Sequence, residues 1–119
     1  MTKVLIVDDA AFIRSHLKLL LESNGFEVVG EAENGKEALG KIQELRPDIV
    51  TLDITMPEMD GIECMLEINK MDYSPVVIMI SALGQELAVQ KAIMNGAKGF
   101  IVKPYKSEAV IKNLNKFRI

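Results

Sequence analysis

The chain has 119 residues, a single cysteine and a formal charge of -3 from 14 basic and 17 acidic side chains, a length that suits one domain, residues 1-119, burying roughly two-thirds of its unfolded surface without a disulfide or metal staple. Charges of both signs are interspersed with no Lys/Arg block, which argues against nucleic-acid binding. No apolar run approaches the ~18 residues of a membrane span. The opening "MTKVLIVDDAAF" turns acidic too soon for a signal peptide, and Cys64 has no partner. A reducing compartment, the cytoplasm, is therefore expected.

Along the chain, "KVLIV" reads as a buried first strand, and "AAFIRSHLKLLLESNG" follows with a helical stripe of Phe12, Ile13, Leu17, Leu20 and Leu21, closed by Gly25. "FEVVGE" reads as a half-buried strand. Asn34 then opens "GKEALGKIQELRP", where Ala38, Leu39, Ile42 and Leu45 recur at helical spacing and Pro47 ends the helix. "DIVTL" is the third strand and Gly61 opens the helix "GIECMLEINKM". "PVVIMI" is the fourth strand, Gly84 opens "GQELAVQKAIMNG", and "GFIV" precedes a last helix for which Ser107 is the expected cap. Strands alternating with helices imply a parallel sheet covered on both faces. Five such units give an α/β, (βα)5 doubly wound, flavodoxin-like fold, with strand order 2-1-3-4-5 expected.

In such a sheet ligands gather beyond the carboxyl ends of the strands, near the point where strand order reverses. Strand 1 ends in Asp8 and Asp9, strand 3 in Asp53, strand 4 in Ser81, and strand 5 in Lys103 and Pro104. Two carboxylates ~5 Å apart repel by about 3 kcal/mol at an effective dielectric near 20, and three together by about 10. One lysine and one divalent ion balance three carboxylates, and all-oxygen ligands favour Mg2+. Beside a metal and a lysine, Asp53 can act as a nucleophile toward phosphorus and form an aspartyl phosphate, with the metal, Lys103 and the Ser81 hydroxyl taking the phosphoryl oxygens.

Two enzyme classes fit less well. A nucleotide-binding fold should carry a Gly-rich loop after strand 1, where this chain has "VDDAAF". A phosphohydrolase of the haloacid-dehalogenase type places an acid/base Asp two residues after its nucleophile, and that position is Thr55. Without a base to activate water, an acyl phosphate should persist as a signal.

Each residue also has a plainer reading when taken alone. Asp8 and Asp9 suit a turn and N-cap, Asp53 a loop cap, and Lys103 an exposed lysine. His16 and Cys64 read as structural, and Met56, next to the acceptor, as lining the site. Convergence on one rim is what favours chemistry over capping.

The segments "VLIVDD", "DITMPEMDG", "SALGQE" and "GAKGFIVKPY" resemble a response-regulator receiver domain of two-component signalling across essentially the whole chain, and "VDDAAFIR" and "LDITMPEMDGIE" most resemble the family's single-domain chemotaxis regulators. The resemblance implies that Asp53 accepts a phosphoryl group from a histidine kinase. It implies that Asp8, Asp9, Asp53 and the backbone carbonyl of Thr55 hold Mg2+. Ser81 matches the switch hydroxyl, Lys103 the family's lysine, and Pro104 a proline after a cis peptide bond.

Phe100 stands where the switch aromatic belongs, as a phenylalanine in place of the commoner tyrosine. Thr55 and Leu83 occupy positions that tune phosphoryl lifetime in the family. The implied partners are a chemotaxis histidine kinase, the flagellar motor switch protein and a phosphatase, with neither nucleic acid nor membrane, and a monomeric state. The same chemistry would also serve a phosphorelay intermediate or the receiver of a longer transcriptional regulator. The domain is expected to catalyse its own phosphorylation and slow dephosphorylation without turning over an external substrate.

Overall fold

The computed structural model describes residues 1-119, in which five strands and five helices alternate. They are β1 (Lys3–Val7), α1 (Ala11–Ser23), β2 (Glu27–Ala32), α2 (Gly35–Leu45), β3 (Ile49–Asp53), α3 (Gly61–Ile68), β4 (Val76–Ala82), α4 (Glu86–Met94), β5 (Gly99–Lys103) and α5 (Ser107–Asn115). The sheet is parallel throughout, in the order β2-β1-β3-β4-β5, as the alternation of strand and helix predicts. No helix is long and apolar enough to cross a membrane.

The central strands are apolar on both faces because helices cover both, and alternate residues separate into two cores. Leu5, Val7, Val50, Leu52, Val77 and Met79 pack with α2, α3 and α4 through Ala38, Ile42, Cys64, Ile68 and Ala92. Val4, Ile6, Ile49, Ile78, Ile80 and Ile101 face the other way and meet Leu17 and Leu21 of α1 and Val110 and Leu114 of α5. This parity decides where the polar residues at the strand ends lie. Asp53 continues the Ile49 row and Lys103 the Ile101 row, toward α1 and α5, whereas Ser81 continues the Val77–Met79 row toward α4.

Caps and turns largely follow local chemistry, although α4 begins at Glu86, two residues after the Gly84 expected to open it. The Asn34 side chain accepts from Glu37 N–H at 2.9 Å, and Gly25, just past α1, takes φ +86°, a conformation that glycine adopts without strain. Ser107, expected as a cap, is instead the first residue of α5. Lys106 holds the cap position, and no side chain caps that helix. Phe12, expected in the α1 stripe, is 80% exposed. The buried stripe runs through Ile13, Leu17, Leu20 and Leu21, and Phe12 shares its outward face with Leu19, seven residues on and also exposed.

Candidate functional site

The carboxyl ends of β1, β3, β4 and β5 form one rim. Register brings Asp53 beside Ile80 and Ala82 beside Lys103, so the tips of neighbouring strands are level. Asp8 and Asp53 are buried, at 1% and 6% exposure, and Asp9 is exposed. Carboxylate oxygens of the three approach within 4.8 Å of one another. Lys103, which arrives from β5, two places from β3 and three from β1, lies between two of them, with Nζ 3.1 Å from Asp8 Oδ2 and 3.5 Å from Asp53 Oδ2. The Lys103–Pro104 peptide bond is cis, as the resemblance implied.

Ala10, not Asp8 or Asp9, is the N-cap of α1, and Asp8 divides its carboxylate between a turn and an ion pair. Its Oδ1 accepts from Ala10 N–H at 2.9 Å, a turn contact ahead of α1, while Oδ2 faces the lysine. Arg14, one turn into α1, fixes the same residue from behind. Its Nη1 donates to the Asp8 carbonyl at 2.6 Å, and its Nε pairs with Glu31 at 3.1 Å. A lone arginine on a helix gives no sign in the sequence that it anchors a strand end. Gly61 is a second support that the sequence shows only as a helix start. Its N–H bonds Ile54 O at 2.7 Å, and a Cβ there would collide with the Asp53 carbonyl and stand 2.8 Å from Ile54 Cα. The first residue of α3 therefore packs directly on the backbone that carries Asp53.

The electrostatics follow from this crowding. Burial first, and then the charge of Asp8, push the Asp53 carboxyl up to about 6, with Lys103 opposing them. Burial alone would lower Lys103, but its hydrogen bond to Asp8 and the charges of Asp53 and Asp8 outweigh it and raise the ammonium above its ordinary value. One ammonium facing three carboxylates leaves two negative charges without a formal partner. An all-oxygen, doubly negative donor set fits a hard divalent cation, and Asp8, Asp9 and Asp53 are the group that could hold it.

Ser81 is buried beside the rim but on the α4 side of the sheet. It lies at the end of an apolar groove of ≈ 510 Å³ between α4 and β5, lined also by Leu83, Val89, Ile93, Phe100 and Val102. Phe100 is 48% exposed and Leu83 77% exposed. Of the residues expected around the site, Met56 is buried and packs into the core formed with α2, α3 and α4, whereas Thr55 is exposed and its hydroxyl is held by Gln85. Outside the rim, His16 is exposed and stacks on Tyr105 with ring centroids 6.5 Å apart. Cys64 is buried, its thiol pushed up to about 12 by that burial. Both match their structural readings.

The response regulator receiver domain family matches residues 4–115. Chemotaxis protein CheY of Thermotoga maritima is 55% identical over 114 residues, 96% of this chain and 95% of that protein. CheY of Bacillus subtilis is 54% identical over the same shares. Among solved structures, the CheX-CheY-BeF3-Mg2+ complex from Borrelia burgdorferi superposes with a TM-score of 0.91 at 44% identity, covering 99% of this chain and 90% of that one. With the strand order, the acidic rim and its lysine already in place, these matches make the chain a member of the response-regulator receiver family, closely similar to CheY of two-component signalling.

Proposed function

We propose that this chain takes a phosphoryl group from a histidine kinase onto Asp53 in a Mg2+-dependent step, and that this changes its affinity for a protein partner. The observation that carries the reading is the position of Lys103, whose ammonium spans Asp8 and Asp53 while Asp9 completes a carboxylate cluster within 4.8 Å. Bound by Asp8, Asp9, Asp53 and the Thr55 carbonyl, Mg2+ would neutralise charge on the transferred phosphoryl oxygens.

The chain's own residues do the rest. At neutral pH Asp53 is mostly ionised, its carboxyl titrating at about 6, and so has the lone pair for attack. An Asp53 oxygen bonds to phosphorus as the phosphorus–nitrogen bond of a phosphohistidine breaks, and the imidazole leaves with the electron pair and takes a proton. Lys103 pairs with the incoming oxygens, and Ser81 offers a hydroxyl from the adjacent strand end.

The added group brings roughly 1.5 to 2 negative charges. Drawing Ser81 toward them pulls on the side of the sheet where the groove holding Phe100 lies. With Phe100 in place of tyrosine, the switch reports through packing alone. Nothing at the Thr55 position supplies a base for water, so the chain acts as a signal carrier and turns over no external substrate. The complex of the Borrelia relative with CheX, BeF3 and Mg2+ supports partner binding of this kind. A chemotaxis kinase, the flagellar motor switch protein and a phosphatase are the proposed partners, and the cytoplasm the proposed site of action.

The partner switch is tested with phosphorylated protein. Ser81→Ala should still accept phosphate but lose most of the phosphorylation-dependent gain in affinity for a motor-switch peptide, read by fluorescence anisotropy. Equal gains in Ser81→Ala and wild type would refute the role given to Ser81.

A further inference from the structure

Gln85 is the N-cap residue of α4, yet its side chain makes no bond to the first turn of its own helix. The amide reaches elsewhere. Its Oε1 accepts from Ala82 N–H at 2.6 Å, and its Nε2 donates to Thr55 Oγ1 at 2.8 Å. The two contacts need opposite ends of the amide, so they also fix its orientation. Ala82 adjoins Ser81 at the tip of β4, and Thr55 stands two residues past Asp53. Register sets Asp53 directly beside Ile80. One side chain thus joins the two loops that leave neighbouring strand ends next to Asp53, at the boundary with solvent, where Thr55 is exposed and Gln85 half-buried.

We propose that Gln85 is a positioning residue, an amide clasp that acts through Thr55 to restrict approach to Asp53. The inference rests on the acceptor role of Asp53 given above. Loss of the phosphoryl group requires a water oxygen to bond to phosphorus while the bond from phosphorus to the Asp53 oxygen breaks. The electron pair returns to the carboxylate, and the water's protons leave with inorganic phosphate. In this proposal that water and a small phosphodonor both approach Asp53 past these two loops. The clasp therefore slows both steps, and opening it speeds both.

The experiment uses acetyl phosphate and Mg2+ with wild type, Gln85→Ala, Thr55→Val and the double variant. Intact mass follows adduct growth and then, after the donor is removed, adduct decay. Each single variant should accelerate both steps by about three- to tenfold, the scale set by one or two net hydrogen bonds. The double variant should be no faster than the faster single variant, because both remove the same link.

Unchanged growth and decay in Gln85→Ala, or acceleration that multiplies in the double variant, would overturn the clasp. So would acceleration of one step only. A merely structural role for Gln85 would lower the urea midpoint without moving the two rates together. Thr55 is exposed and Gln85 half-buried, and Gln85→Met, which keeps the length of the side chain without its amide, carries the test by itself if Gln85→Ala fails to fold. Failure of wild type to gain any adduct would instead overturn the acceptor role of Asp53, a result distinct from failure of the clasp.

Discussion

The two sides of the sheet at its carboxyl edge solve opposite problems. Toward α1 and α5 the tips carry buried charge, with Asp8, Asp53 and Lys103 within ion-pair distance and braced by Arg14 and Gly61. Toward α4 the tips open onto an apolar groove whose large side chains, Leu83, Phe100 and Met94, are left in solvent. Burial of uncompensated charge costs stability, so the first region is rigidly supported and chemically strained. Exposed apolar surface gains free energy when something covers it, so the second region is poised to repack or bind. Ser81 is the one buried polar residue at the junction, which suits it to pass an event in the first region to the second.

The sharpest way to break the contrast is to remove the bracing of the charged side. Gly61→Ala forces a methyl group into the backbone of Asp53 and Ile54 and should cost about 3 kcal/mol in urea unfolding, the upper end of overpacking effects. A loss below about 1 kcal/mol would mean that α3 can retreat and the rim is not held from behind.

The next effect concerns the charge itself. Asp53 titrates at about 6 in the folded chain against an ordinary value of 3.8. The folded state therefore holds its proton to higher pH than the unfolded chain does. Its contribution is fully present below pH 3.8 and is lost as pH rises to and through about 6. Asp53→Asn escapes this penalty. Without divalent cations it should be more stable than wild type at pH 8 by on the order of 2 kcal/mol and show little advantage at pH 4. Added Mg2+ should then stabilise wild type more than Asp53→Asn. A pH-independent difference between the two proteins would contradict the crowding described here.

On the groove side the expected change is smallest. Leu83→Ser should alter stability by less than about 0.5 kcal/mol, as for exposed positions generally. A larger loss would show that the groove belongs to the resting core.

What the sequence made legible divides along the same line. Strand ends could be read directly, because apolar runs stop at polar residues and the sheet order brings those stops together. Asp8, Asp9, Asp53, Ser81 and Lys103 are legible in this way, although Lys103 and Asp8 are 95 residues apart. The supports could not be read so. Arg14 and Gln85 are ordinary helix-terminus residues in sequence, and their roles depend on a carbonyl or hydroxyl supplied by another loop. Gly61 reads as a helix start, and only the packed structure puts the Asp53 carbonyl where its Cβ would be. Phe12 failed for a related reason, since one residue of helical phase separates the buried stripe from the exposed face and the sequence does not say which edge of a broad stripe meets the sheet.

The most direct test of the account is intact mass after incubation with acetyl phosphate, with Mg2+ or with EDTA, on wild type and Asp53→Asn. One hydroxylamine-labile phosphoryl adduct is expected, forming only on wild type and only with Mg2+. An adduct that persists in Asp53→Asn or in EDTA, or release of free phosphate with no adduct at all, would contradict this expectation.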